Sequence, residues 1–241
     1  MAATETKNDA DAKMWTARLR NGFFGTFPPE KLLPDRQPAY VASWIYVFGV
    51  ATLAAFGVLL VTGLILTFEG PTWYHTSAVG HFFNSVHYWA VQLFMLAMVV
   101  HLWGKFWMAA WRGKRWLTWI TGVVCFVTSI GTAFTGYLVQ TNFDSQWISF
   151  EAKDGLNAAG IGAWFNVTDL GQVLLMHIAL LPVVLGLIVV WHVLLVRKHG
   201  VVPPLPVKDS STASGTPATA ETSETNKTEA TAAAETSEVS A

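Results

Sequence analysis

The chain has 241 residues, 52% hydrophobic and only 13% charged, with a mean hydropathy of +0.39 and a formal net charge of −1. Soluble domains carry about 25% charged residues, so a membrane protein is expected, and the near-neutral balance gives no reason to expect a nucleic-acid partner. Cys125 is the only cysteine and lies inside an apolar run, which excludes a disulfide framework or a thiolate metal site.

Residues 1–14 are polar, and the first twenty residues hold no apolar stretch, so a cleavable leader is not expected. Residues 15–42 mix Trp15, Leu19, Phe23, Phe24 and Phe27 with Arg18 and Arg20, the composition of a helix lying at a membrane surface. Four segments of about 20 or more mostly apolar residues follow, long enough to cross a bilayer. They run approximately from Ser43 to Phe68, Phe82 to Ala110, Leu117 to Val139 and Leu170 to Val196. None alternates as a barrel strand does, and each exceeds strand length. The expected fold is therefore an all-α membrane protein, a four-transmembrane-helix bundle over residues 43–206. From Lys208 onward the chain is almost wholly Ala, Thr, Ser and Glu, so residues 207–241 are expected to be a disordered tail.

Basic residues cluster before the first span (Lys13, Arg18, Arg20, Lys31, Arg36), between the second and third (Lys105, Arg112, Lys114, Arg115) and after the fourth (Arg197, Lys198, Lys208). The other two loops hold Lys153 alone, beside Glu69, Asp144, Glu151, Asp154 and Asp169. By the positive-inside rule both termini are cytoplasmic. His87 and His177 then fall near the outer face, His101 and His192 near the inner face.

Those four histidines carry the functional signal. His87 and His101 are 14 residues apart in the second span, and His177 and His192 are 15 apart in the fourth. At ~100° per residue, 14 steps return to within about 40° of the starting face and 15 to within about 60°, while the rise of ~1.5 Å per residue separates each pair by roughly 21–23 Å. Two such helices face to face form two stacked bis-histidine sites, the ligand set of two haems. A single intramembrane histidine could instead be a proton relay, a pore lining or a group bonded to a neighbouring helix. Two pairs at corresponding depths favour haem ligation over those readings. His75 and His81 read as solvated or interfacial groups, and His199 as surface charge.

Glycines repeat the interval. Gly49 and Gly63 in the first span, and Gly122 and Gly136 in the third, are each 14 residues apart. Glycine inside a helix costs up to ~1 kcal/mol relative to alanine, so a packing reason is expected. Close helix approach is one such reason. Clearance for a flat macrocycle on the two helices that do not ligate it is the other, and the shared interval favours it.

At these motifs the chain resembles the haem-bearing N-terminal half of cytochrome b of quinol–cytochrome c and plastoquinol reductases, and most of all the short cytochrome b6 form. The resemblance runs from about Trp15 to Pro204. It rests on Ser85-Val86-His87 with His101, Leu117-Thr118-Trp119-Ile120-Thr121-Gly122-Val123, Thr135-Gly136-Tyr137, and His177, Pro182 and His192 followed by Arg197-Lys198-His199-Gly200 and Pro204-Leu205. It implies two non-covalent b-type haems: an outer-side one on His87 and His177, and an inner-side one on His101 and His192. Gly49, Gly63, Gly122 and Gly136 would flank the macrocycles, and Arg115, Arg197 and Lys198 would either meet haem propionates or quinone or serve only as positive-inside anchors. It further implies quinone as an exchangeable substrate and a separate subunit supplying the other half of cytochrome b. A Rieske iron–sulfur protein and a cytochrome c would complete the complex, and a homodimer is compatible with it. Such a subunit is not expected to be active alone.

Departures from that family pattern sharpen the expectation. The b6 form carries a cysteine for a covalent c-type haem near the start of its first span; Val47 stands at about that place, so no covalent haem is expected. No arginine precedes His87 within Asn84-Ser85-Val86, and Leu138-Val139-Gln140 replaces the usual Leu-Pro-Trp. The segment Asn142 to Gly155, which in the family lines the outer quinol pocket, is therefore altered. A different class stays open: a two-haem anchor joining quinone to a nitrate reductase- or formate dehydrogenase-like enzyme. So does a transporter using intramembrane histidines.

Overall fold

The computed structural model describes residues 14–32 and 44–202. The polar tail before Met14, the stretch 33–43 and the Ala/Thr/Ser/Glu-rich tail lie outside those residues. Helix α1 covers Trp15–Thr26, followed by a single turn at Pro29–Leu32. Then come α2 (Trp44–Glu69), a turn at Trp73–Thr76, α3 (Ala78–Trp107), a 3₁₀ turn at Gly113–Arg115, α4 (Trp116–Leu138) and α5 (Phe143–Ala158). Helix α6 spans Leu170–His199. Among the described residues there is no strand, and α2, α3, α4 and α6 are the four helices long and apolar enough to cross a membrane. At ~1.5 Å per residue, the 26 residues of α2 extend about 39 Å, more than the ~30 Å hydrocarbon layer.

Local chemistry sets the boundaries. Helix α3 begins at Ala78, earlier than the expected Phe82, because the Ser77 hydroxyl caps it by accepting from the Gly80 N–H at 3.3 Å. The chain leaves α3 through Ala109, whose φ of 52° is the left-handed geometry that turns a chain out of a helix. Helix α5 was not expected as an element. Asn142 starts it, its Oδ1 accepting from the Ser145 N–H at 2.8 Å, with Asp144 in the first turn. Asp169 caps α6 in the same way through Gln172 N–H at 3.2 Å, and Gly200, at φ 72°, ends it.

One irregularity interrupts α6: residues Met176–Leu180 form a π-turn. Pro182 stands just beyond it. Proline has no N–H for the Ile178 carbonyl, and its ring crowds that carbonyl in a regular helix. Widening the turn removes the clash and accommodates one extra residue.

Helix α2 lies along α3, and α4 along α6. Mid-length, Ala55, Phe56, Phe94, Met98, Cys125 and Leu185 form one buried cluster, with the Phe56 and Phe94 rings stacked at 5.9 Å. Phe56 is seven residues from Gly49 and from Gly63, and Phe94 seven from His87 and from His101. Seven residues are ~10 Å of helix, so this layer divides the bundle into two levels. The outward faces carry Val50, Val61, Leu64, Phe68, Leu96 and Leu187, all well exposed. A bundle with such an apolar exterior belongs in lipid, where every backbone group is satisfied within the helices.

Candidate functional site

The two levels each contain two histidines, and each histidine faces a glycine on the neighbouring helix. At one level His87 of α3 faces Gly63 of α2, and His177 of α6 faces Gly136 of α4. At the other, His101 faces Gly49 and His192 faces Gly122. A Cβ added to Gly49, Gly63 or Gly122 would stand 3.0–3.2 Å from the imidazole Cε1, and one on Gly136 would stand 2.5 Å from it. The immediate reason for these glycines is thus the imidazole ring, which needs the space a Cβ would take. This is more specific than the macrocycle clearance expected from the spacing.

Hydrogen bonds decide which ring nitrogen carries the proton. The Thr62 hydroxyl donates to the Val58 carbonyl at 2.7 Å, so its oxygen accepts from His87 Nδ1–H at 2.8 Å. Thr121 donates to the carbonyls of Leu117 or Thr118 at 3.0 and 2.9 Å, and accepts from His192 Nδ1–H at 3.0 Å. His177 Nδ1–H donates to the Thr132 carbonyl at 3.0 Å, with the Thr135 hydroxyl 3.4 Å away. In all three rings Nε2 is left with its lone pair, the state a metal ligand needs. His101 Nδ1 is buried without a hydrogen-bond partner.

The His87 and His177 rings lie 6.3 Å apart, centroid to centroid, with planes at 84°. Two metal–nitrogen bonds of ~2.0–2.1 Å together with the half-widths of two imidazoles amount to about 6 Å, so one iron atom fits between them. The donor set, the tautomers and the glycine cradles all suit bis-imidazole haem. Among the described residues no group of three or more His, Cys, Asp or Glu gathers as a conventional metal site.

The end of the bundle where Phe27 meets Lys198 collects basic groups. Lys198 Nζ lies 5.6 Å from the Phe27 ring centroid, and Lys105 Nζ lies 3.6 Å over the Tyr46 ring. The Tyr46 hydroxyl donates to the Val202 carbonyl, and the Thr118 hydroxyl is 3.3 Å from His199 Nδ1. Arg115 Nε and Lys105 Nζ are buried without hydrogen-bond partners, whereas Arg197 and Lys198 are exposed. At the opposite end a cavity of about 270 Å³ opens beside α5, with Gln140, Thr141, Gln146 and Thr168 in its wall. His75 Nε2 lies 2.9 Å from the Thr141 hydroxyl, which ties the α2–α3 loop to that wall. His75 is therefore bonded rather than merely solvated.

The hydroxyl partners are not evident from the histidine spacing. Their signal was available: Thr62, Thr121 and Thr135 each stand immediately before a glycine of the 14-residue pattern. Lys105, the sole charge within α3, has its Nζ buried over the Tyr46 ring, a placement its position among the loop basics does not signal.

Comparison with known proteins agrees with the geometry. The model of the family described as cytochrome b (N-terminal)/b6/petB matches residues 92–228. Cytochrome b6 of Heliobacterium mobile is 28% identical over 198 residues, covering 73% of this chain and 93% of that protein. Cytochrome b6 of Heliomicrobium gestii is 26% identical over 190 residues, covering 70% of this chain and 89% of that one. The cytochrome bc complex cytochrome b subunit of Chlorobaculum thiosulfatiphilum is 26% identical over 236 residues, covering 88% of this chain but 54% of its own length. Among solved structures, a chain of a hyperthermophilic respiratory Complex III superposes with a TM-score of 0.59 at 23% identity, over 77% of this chain and 54% of that chain. That likeness shows the fold.

Proposed function

Because the chain belongs to the cytochrome b N-terminal/b6 family, we propose that it is a di-haem, electron-transferring subunit of a Rieske–cytochrome b complex. His87 and His177 would hold one haem and His101 and His192 the other. The observation that carries this reading is the His87–His177 pair, two facing rings 6.3 Å apart with both Nδ1 protons committed to hydrogen bonds. A bis-imidazole haem supplies reversible one-electron exchange and offers no open iron position to oxygen or substrate.

The protein's own groups do the rest. Gly49, Gly63, Gly122 and Gly136 let the imidazoles approach the helices, and the threonine hydroxyls and Thr132 carbonyl hold three of the rings in one tautomer. The buried Phe56–Phe94 layer keeps the two levels apart and dry. Arg115, with Lys105 beside the His101 level and Arg197 and Lys198 nearby, supplies positive charge for propionates or for a quinone oxygen. The cavity at Gln140, Thr141 and Gln146 is the place for quinol at the other face. Basic residues at the Lys198 end and acidic ones around α5 favour a cytoplasmic side for that end of the bundle. Quinol oxidation would need a partner subunit to complete that cavity, together with a Rieske protein and a cytochrome c. Family membership favours this reading over an anchor for a molybdenum enzyme.

The test is a haem count. In membranes containing the full chain, two non-covalent b haems per polypeptide are expected by pyridine haemochrome, with loss of haem in His87→Ala and in His192→Ala. An unchanged haem complement in either variant overturns the reading.

A further inference from the structure

Three of the four histidine sites share a feature that the fourth lacks. Three of the glycines that face them follow a threonine: Thr62-Gly63 at His87, Thr121-Gly122 at His192 and Thr135-Gly136 at His177. The fourth doublet is Phe48-Gly49, at His101. Gly49 approaches His101 as closely as the others approach their rings, since an added Cβ would stand 3.0 Å from Cε1 and 3.1 Å from Nδ1. Register is therefore the same, and the difference is the side chain before the glycine. The three threonines are buried or nearly so, and each spends its proton on its own helix, leaving an oxygen that can only accept. His101 Nδ1, by contrast, is buried with no partner.

We propose that Thr62 and Thr121 are positioning residues that hold His87 and His192 through Nδ1–H, as the Thr132 carbonyl beside Thr135 holds His177, and that Phe48 makes the His101–His192 level electronically distinct by withholding that bond. The inference rests on the haem reading above. A ring that donates from Nδ1 becomes a more basic ligand through Nε2, which favours the ferric over the ferrous state. The His87–His177 level has that bond on both rings, the His101–His192 level on one. The His101–His192 haem therefore holds the electron more readily, and His101 is the ligand kept in place by packing alone.

The test is a redox titration of both b haems in membranes carrying the full chain with its partners, each haem assigned by its loss in the matching histidine variant. Phe48→Thr supplies the missing acceptor and is expected to shift the His101–His192 haem about three- to tenfold toward ferric. At 59 mV per tenfold for one electron, that is a potential lower by about 28–59 mV, with the other haem unmoved. Thr62→Val is expected to raise the His87–His177 haem by a similar factor, and Thr62→Ser to leave it in place. A merely structural threonine would lower haem content in Thr62→Val without moving the potential of the haem that remains. Two haems per chain with both potentials unmoved in Phe48→Thr and Thr62→Val overturn this inference alone. Absence of haem from the unaltered chain overturns the functional reading first, and the haem count tells the two failures apart.

Discussion

Gly136→Ala puts the cradle argument under the most direct strain. The new Cβ would stand 2.5 Å from His177 Cε1 and 3.1 Å from both ring nitrogens. Carbon atoms rest at about 3.5–4.0 Å, so the ring must retreat by roughly 1 Å. It cannot retreat freely, because Nδ1–H is bonded to the Thr132 carbonyl at 3.0 Å, on the same helix as the intruding methyl. Overpacking of this kind costs about 1–3 kcal/mol. If that cost falls on the ligated state, haem affinity at this level drops about 5- to 150-fold, at tenfold per 1.4 kcal/mol. Gly131→Ala, five residues earlier on α4 with nothing within 4 Å of its added Cβ, is the control. There alanine improves helix propensity by up to ~1 kcal/mol and should leave both haems in place. The assay is haem per polypeptide with the reduced-minus-oxidised spectrum. Full retention of both haems in Gly136→Ala, or equal loss in Gly131→Ala, would refute the role given to these glycines.

Three further outcomes are expected. Gly63→Ala should cost less than Gly136→Ala, since its Cβ would meet His87 Cε1 at 3.2 Å and Nδ1 only at 3.7 Å, and the ranking is read from haem content under the same detergent wash. Asn142→Ala removes the cap of α5 and about 1 kcal/mol of helix stability; faster proteolysis within 143–158, with both haem spectra intact, is the expected signature. Gly104→Ala drives a methyl into the Ile45 side chain and should loosen the α2–α3 contact, lowering thermal stability. Ile45→Ala in the same chain should restore part of the loss, a coupling that a double-mutant cycle measures.

The membrane helices were legible because the bilayer demands about 20 apolar residues per span, and Ile45 to Glu69 or Leu170 to His199 can satisfy little else. The histidine and glycine intervals were legible for a related reason: two sites at two depths on straight helices force one axial period on all four. Helix α5 was not, because a short half-polar helix takes its start from a cap, Asn142, which in sequence looks like any loop asparagine. Nor was the choice of hydrogen-bond partner for each ring. Thr62 and Thr135 carry the same residue and the same following glycine, yet His87 bonds the hydroxyl while His177 bonds the Thr132 carbonyl. Differences of a few tenths of an ångström in ring placement decide that, and no periodicity encodes them.

The unequal intervals, 14 residues in α3 and 15 in α6, find their explanation in the π-turn. On a regular α-helix the fifteenth residue adds ~100° of rotation and ~1.5 Å of rise, so His177 and His192 could not both match the faces that His87 and His101 present. A π-turn absorbs one residue without advancing the helix beyond it, and Met176–Leu180 lies where the absorption is needed, with His177 as its second residue. The 15-residue interval then behaves as 14, the interval of the glycines on α4. Pro182 is the local cause. Pro182→Ala alone should let the turn relax toward α geometry, swinging His177 by as much as ~100° away from His87 and losing haem at that level while His101 and His192 keep theirs. Deleting Ala179 together with Pro182→Ala restores a 14-residue α-helical interval, and both haems should return. If the deletion does not rescue the haem lost in Pro182→Ala, register is not what the π-turn supplies.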